Sequence, residues 1–356
     1  MTHPYDGAPD YRRWRKAVAD LPLRQVDPVI CLPFKITRRD KVMTAGSCFA
    51  QHIARHLRQH GFHYLETETA HPLLPLPVAS AFNYGIYTAR YGNIYTARQL
   101  LQLLRRAYGR FTPDEDVWVN SGHYFDPYRP AIQPDGFASL EEYAADRRQH
   151  FAAVRLAFET MDYFIFTLGL TEGWLSRSDG AAFPVCPGTI AGSFDARLHA
   201  FTNDGVDATT SLLTTFVDEL REINPNVKIV LTVSPVPLAA TAEDRHVLVA
   251  NSYSKSVLRI ACEELTKLPD VFYFPAYEII TGAFSRGAYF DHDLRSVREE
   301  GVQHVMDVFF RHAAVIEESI PADFALESSE LDFSPRMRKV MDTLCEEAYL
   351  DPPDQT

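Results

Sequence analysis

The sequence predicts an α/β fold with helices on both faces of a central parallel sheet, and three observations carry that prediction. Apolar strand-like runs alternate with amphipathic helical stretches from residue 41 onward, the pattern of βα units joined by crossovers. Two of the runs, Tyr163-Phe164-Ile165-Phe166-Thr167-Leu168-Gly169 and Lys228-Ile229-Val230-Leu231-Thr232-Val233-Ser234, are apolar with little alternation, as strands covered on both faces are. Small or hydroxylated residues, Ser47, Gly169, Thr171 and Ser234, fall at the predicted strand ends, and open parallel sheets bind ligands outside the carboxyl ends of their strands.

Residues 1–40, rich in proline and charge, read as an arm packed on the body, with Tyr11, Trp14 and Leu21 as docking points. Val42 to Ala45 is the first strand. A helix follows, because Ala50, Ile53, Ala54 and Leu57 recur at i, i+3, i+4 and i+7 and Gly61 supplies a stop. Phe62-His63-Tyr64-Leu65 reads as the next strand. Three prolines, Pro72, Pro75 and Pro77, then break regular structure, and Phe82-Asn83-Tyr84-Gly85 reads as a turn. Helices are expected over Thr96–Tyr108 and Leu140–Thr160, with an aperiodic span from Trp118 to Phe137 between them. Residues 70–150 are read as a large insertion after the first βα unit that covers the sheet edge or builds a substrate wall. Helices over Ser211–Ile223 and Val247–Leu265 flank the 228–234 run, which Pro235 and Pro237 halt, and Val271–Phe274 is the last core strand. The loop Asp291–Ser296 opens a helix carrying Val302, Val305, Met306, Phe309 and Phe310. The main α/β domain is expected over 41–320, followed by a helical tail at 321–356.

Composition narrows the function. At 356 residues with 46% hydrophobic content the chain can bury a large core, and a formal charge of -12 argues against nucleic acid as a partner. The first 22 residues lack an apolar signal region and no run approaches about 18 apolar residues, so no membrane partner and a cytoplasmic location are expected. The five scattered cysteines, without C-x-x-C spacing, are expected as reduced thiols. Neither a G-x-G-x-x-G nor a P-loop motif occurs, and no cofactor is expected. His52, His56 and His60 lie on one helical stripe, read as a solvated face rather than a metal site; no metal is expected. Oligomeric state is left open, a homo-oligomer included.

The chemistry centres on Lys41-Val42-Met43-Thr44-Ala45-Gly46-Ser47-Cys48-Phe49-Ala50, a strand running into a helix with a serine at the junction. Two readings of Ser47 stand side by side. It is a helix N-cap, the commonest use of serine there, or a nucleophile set where the unpaired N–H groups of a helix N-terminus stabilise developing negative charge. Cys48 is read as a buried core thiol.

Gly46-Ser47-Cys48-Phe49-Ala50 is the signature of the GSCFA family, and the chain resembles that family, whose members are similar to SGNH/GDSL esterases and acyltransferases. Further stretches carry the resemblance: Asn93-Ile94-Tyr95-Thr96-Ala97-Arg98-Gln99-Leu100, Thr167 to Trp174, Cys186-Pro187-Gly188-Thr189, Thr232 to Pro237, Asn251 with Ser254-Lys255-Ser256, and Tyr273 to Glu278. The resemblance implies a flavodoxin-like three-layer α/β/α fold, SGNH hydrolase-like, and a serine esterase or O-acyltransferase working through an acyl-enzyme on an acylated carbohydrate or similar polar metabolite. It implies Ser47 as nucleophile, with its own N–H as one oxyanion donor. Gly85 or Asn83 is the candidate for the second block, and Gly169 with Thr171 stands at the third, where an asparagine is expected; a threonine hydroxyl still donates. Trp174 is a candidate for stacking on a sugar ring, and Arg295 for pairing with an anionic substrate group.

An Asp-x-x-His motif should end the triad, yet the chain reads Asp293-Leu294-Arg295-Ser296. Ser296 holds the expected histidine position and cannot act as general base. Three explanations stand: a His-to-Ser change that leaves the pocket intact, a natural loss of catalysis that turns the protein into a binder, or a base drawn from elsewhere, with His292 nearest in sequence, then His304 and His71. A lost or removed histidine is favoured over a relocated one, because His292 beside Asp293 would point to the other face of an extended segment. The competing class is a non-catalytic carbohydrate- or acyl-ligand-binding protein on an esterase scaffold.

Overall fold

The computed structural model describes residues 3–315 and residue 350, so the helical tail expected at 321–356 lies, apart from that one position, outside the described residues. Its central sheet contains β1 (Val42–Gly46), β4 (Tyr163–Leu168), β8 (Lys228–Val233) and β9 (Val271–Tyr273), all parallel and ordered β1-β4-β8-β9. The register sets Gly46 beside Thr167 and Thr167 beside Thr232, which aligns the carboxyl ends of three strands. Phe62–Leu65, expected as a strand, contributes only a single bridge between Tyr64 and Val42 on the outer edge of β1. The chain leaves the sheet there because Thr67 bonds to Thr88 and Ala153 and Glu68 to Arg90 and His150.

Alternation along the strands divides the core in two. On one face Met43, Ala45, Phe164, Phe166, Leu168, Ile229, Leu231 and Val233 pack against α3 (Ala97–Ala107), α4 (Leu140–Thr160), α5 (Val206–Ile223) and α6 (Val247–Leu265). On the other, Val42, Tyr163, Ile165 and Val230 meet α1 (Phe49–Gln59), α7 (Ala276–Thr281) and α8 (Glu299–Ala313). This is a three-layer α/β/α arrangement. Local signals agree with it: Thr96 and Gln99 close a capping box on α3, and Ser139 accepts the Glu142 N–H at the start of α4.

Several expectations need correction. The 70–150 span is not one appended block, because α3 and α4 are themselves covering helices of the main sheet. What lies outside that core is α2 (Leu76–Ala81), the hairpin β2 (Trp118–Asn120) with β3 (His123–Phe125), and the side chains of Trp118, Ile132 and Phe137 in small satellite cores. A second, antiparallel sheet, β5 (Glu172–Ser176) between β6 (Ala182–Phe183) and β7 (His199–Asn203), grows out of the loop after β4. The arm docks through Val29, Leu32, Phe34 and Ile36 and not through Tyr11 or Trp14, which are exposed. Helix α5 begins at Val206, ahead of the expected Ser211, after Gly205. No described helix is long and apolar enough to cross a membrane.

A buried ion network fixes the loop that reaches the end of β1. Arg129 bonds Asp126 and Asp146 at 2.8 Å each, Arg90 bonds Asp146 at 2.7 Å, and Glu68 takes His150 Nδ1 at 2.8 Å and the Arg90 N–H at 2.7 Å. Burial pushes the Glu68 and Asp126 carboxyls up. The partners outweigh it, His150 first for Glu68 and Arg129 first for Asp126, and hold each at about 2.

Candidate functional site

The site begins with a backbone that only glycine tolerates. Gly46 has φ +139°, and a Cβ there would lie 2.3 Å from the Thr167 carbonyl oxygen, inside van der Waals contact. Its absence lets β1 run against β4 to the last residue and turn sharply into α1. Ser47 sits in that turn, 4% exposed, and its Oγ has no hydrogen-bond partner among the described residues. Cys48, half-buried and not in the core as expected, is the residue that caps α1, and no side chain bonds the helix N-terminus. The N-cap reading of Ser47 therefore loses its support: the hydroxyl precedes the cap and bonds nothing among the described residues.

The surroundings of Ser47 come from two segments. The first is the loop Tyr87–Thr96. Ile94 donates its N–H to Gly46 at 2.9 Å, and the Tyr95 carbonyl accepts from Gly169 and Leu170 at 3.1 and 2.9 Å. Asn93, buried, accepts from Gln51 Nε2 at 3.1 Å, and Gly92 takes φ +73° in the same turn. This places Asn93 and Gly92 on the strand edge where Asn83 and Gly85 were expected. Asn83 instead donates to the Ala131 carbonyl at 3.0 Å. The Gly85 carbonyl takes Arg58 at 2.5 Å, in the last turn of α1, about 14 Å along the helix from its start.

The second segment is the end of β4. Gly169 packs against Ser47, since a Cβ on it would lie 3.1 Å from the Ser47 Cβ. Its carbonyl accepts from Lys255 Nζ at 2.8 Å. The expected oxyanion donors are otherwise engaged: the Ser47 N–H with the Thr167 carbonyl at 3.3 Å, and the Thr171 N–H and hydroxyl with Ser254 Oγ at 3.2 and 3.0 Å. Trp174 meets Phe194 and Phe201 edge-on in the satellite sheet, with ring centroids 5.2 and 5.6 Å away.

Asp293 and Ser296 form a closed turn. Ser296 donates its hydroxyl to Asp293 Oδ2 at 2.6 Å, and the Arg295 and Ser296 N–H groups both donate to Oδ1 at 2.9 Å. Burial pushes the carboxyl up, but the Ser296 hydroxyl and these N–H groups outweigh it and hold it below its ordinary value. Arg295 Nε donates to the Pro237 carbonyl at 3.1 Å. That ties the turn to the segment leaving β8, whose carboxyl end lies on the same sheet edge as Ser47 with β4 between them. His292 is exposed in the same loop and its N–H bonds Asp291. His304 is buried against Tyr289, 2.7 Å away, and His71 is an exposed residue whose ring accepts the Leu73 N–H.

The α1 histidine stripe is a solvated face only in part: His60 is exposed, with its ring tilted against Phe310, whereas His52 is half-buried and His56 is buried 3.5 Å from Glu299 at the start of α8. Burial first, then Arg55, pushes the His52 imidazole down to about 4, so the ring is neutral at pH 7. Arg55 lies 3.3 Å from His52 Nδ1, and a guanidinium only donates, which leaves the ring proton on Nε2 and no lone pair there. Among the described residues no group of three or more His, Cys, Asp or Glu side chains is placed to hold a metal ion.

The model of the GSCFA family matches residues 41–309, three quarters of the chain. The chain belongs to the GSCFA family. No curated protein and no solved structure matches it. Membership covers the sheet, the loop over Ser47 and the Asp293–Ser296 turn in one unit. Asn93 was within reach of sequence reading, since it opens a stretch shared with the family, but only the fold shows that Ile94 bonds Gly46.

Proposed function

We propose that this GSCFA protein is an SGNH-like serine esterase or O-acyltransferase, with Ser47 as the nucleophile and an acylated carbohydrate or similar polar metabolite as substrate. The observation that carries this is a buried hydroxyl without a partner, held by the Gly46 turn before the N-terminus of α1. Buried hydroxyls without a partner among the described residues also occur at Thr88, Thr167 and Thr232, so what sets Ser47 apart is its place, at the carboxyl end of β1 and just before the N-terminus of α1. Ser47 Oγ attacks the acyl carbonyl, the alcohol leaves, and water or a second hydroxyl takes the acyl group from the serine. The strand order of this chain supports the same reading: with the Tyr64 bridge counted, the sheet follows the 2-1-3-4-5 order of flavodoxin-like folds.

A second reading has its own observation. Ser296 makes the bond to Asp293 that a histidine would make, yet cannot take a proton, which favours a binding protein on an esterase scaffold. Labelling with a fluorophosphonate separates the two. The catalytic reading expects stoichiometric labelling of Ser47 that Ser47→Ala abolishes, with turnover of p-nitrophenyl acetate; a chain inert to both, as purified and as Ser296→His, refutes it.

A further inference from the structure

We infer that Lys255 is the general base for Ser47, forming a serine–lysine pair in place of the histidine missing at position 296. The inference rests on the nucleophile reading of Ser47. Lys255 is on α6 and only 1% exposed, so its four-carbon stem and amine are enclosed by protein. Its Nζ lies 2.8 Å from the Gly169 carbonyl, and Gly169 is in turn packed on the Ser47 side chain. Amine and serine therefore both lie against Gly169, the amine on its carbonyl and the Ser47 Cβ 3.1 Å from where a Cβ on Gly169 would stand.

The imidazoles are placed for other work. His304 bonds Tyr289, His52 carries its proton on Nε2 beside Arg55, the His71 ring accepts within an exposed loop of its own, and His292 lies exposed in the Asp291–Ser296 loop. Lysine amines removed from water are the ones that serve as bases, and serine–lysine pairs are an established variant of the serine triad. Once deprotonated, the amine can accept a proton at its lone pair while an N–H group keeps the bond to Gly169.

The step balances without a further reactant. Ser47 Oγ–H gives its proton to Nζ as the Oγ–C bond forms and the carbonyl π pair moves onto oxygen. That pair returns as the ester C–O bond breaks, and the Nζ proton passes to the departing alkoxide. Water then enters by the reverse route, its proton going to Nζ and back to Ser47. Catalytic hydrogen bonds are often unmade before substrate is bound, as the orphan Ser47 hydroxyl is here.

The test is the rate of fluorophosphonate labelling in the full-length chain. Wild type should label at a rate that climbs with pH through one ionisation, and Lys255→Gln should label about 10²-fold or more slowly, with its melting curve recorded alongside. Glutamine still donates to the Gly169 carbonyl, so a merely positioning role would leave its rate near wild type and overturn the proposal. Methylamine added to Lys255→Ala should restore labelling in proportion to its concentration. If the variants do not fold, diethyl pyrocarbonate on wild type decides: loss of labelling that hydroxylamine does not reverse supports the lysine, and hydroxylamine-reversible loss assigns a histidine and overturns it. Wild type that never labels at Ser47 refutes the nucleophile reading itself, a separate outcome.

Discussion

Gly46→Ala is the sharpest perturbation the fold offers. The substitution adds one methyl group, which ordinarily changes little. At position 46 it meets two obstacles: φ +139° is disfavoured for any L side chain, and the new Cβ would lie 2.3 Å from the Thr167 oxygen and 2.8 Å from the Thr167 Cβ. Backbone strain of this kind costs about 1–3 kcal/mol, and overpacking between two central strands adds about 1–3 kcal/mol, for a combined loss near 4 kcal/mol. Relief requires β1 to move away from β4, which carries Ser47 with it, and a displacement of about 1 Å at a reacting group can cost about 10²-fold in rate. Gly109→Ala is the internal control, because Gly109 has φ +68° with nothing within 4 Å of the added atom; it should cost about 1 kcal/mol from backbone conformation alone. Urea unfolding of both variants, with fluorophosphonate labelling of Ser47, reads the two effects. Equal losses in the two variants, or a Gly46→Ala chain that labels at the wild-type rate, would refute the argument that the close approach of β1 to Thr167 positions the serine.

Other consequences are as direct. Ser47→Ala should abolish labelling yet raise stability by about 1 kcal/mol, since it deletes a buried hydroxyl with no partner; denaturant titration that shows a loss instead would mean Ser47 has a structural bond. Arg129→Met should destabilise by about 3–5 kcal/mol because Asp126 and Asp146 are left without their shared cation, a change visible in the unfolding midpoint. Glu68 and Asp126 sit at about 2 when folded and at ordinary carboxylate values when unfolded, so the stability they contribute is present above about pH 4.5 and is lost as pH falls toward 2; circular dichroism against pH should show the transition in that window. Ser296→His should raise p-nitrophenyl acetate turnover if the Asp293 turn still serves a base, and leave it unchanged if Lys255 already does.

Local chemistry explains which elements were legible. The runs 163–168 and 228–233 are buried on both faces and read as strands without help from context, and α1 and α3 carry their periodicity from end to end. Phe62–Leu65 has strand composition, but its pairing ends after Tyr64 because Glu68 and Thr67 find partners away from the sheet. The β5–β7 sheet was missed for a related reason: its strands are short, half-buried and joined by long loops, so no period marks them.

The sequence by itself determined the layered α/β class, the family and the serine at the first strand-to-helix turn, all of which depend on neighbours along the chain. The tertiary structure alone decided what surrounds that serine. Gly46 is indispensable because of a carbonyl 121 positions away, Asn93 reaches the site because Ile94 pairs with Gly46, and Lys255 meets Gly169 from a helix 86 positions later in the chain. Such contacts depend on the packing of separate elements, and spacing along the chain carries no trace of them.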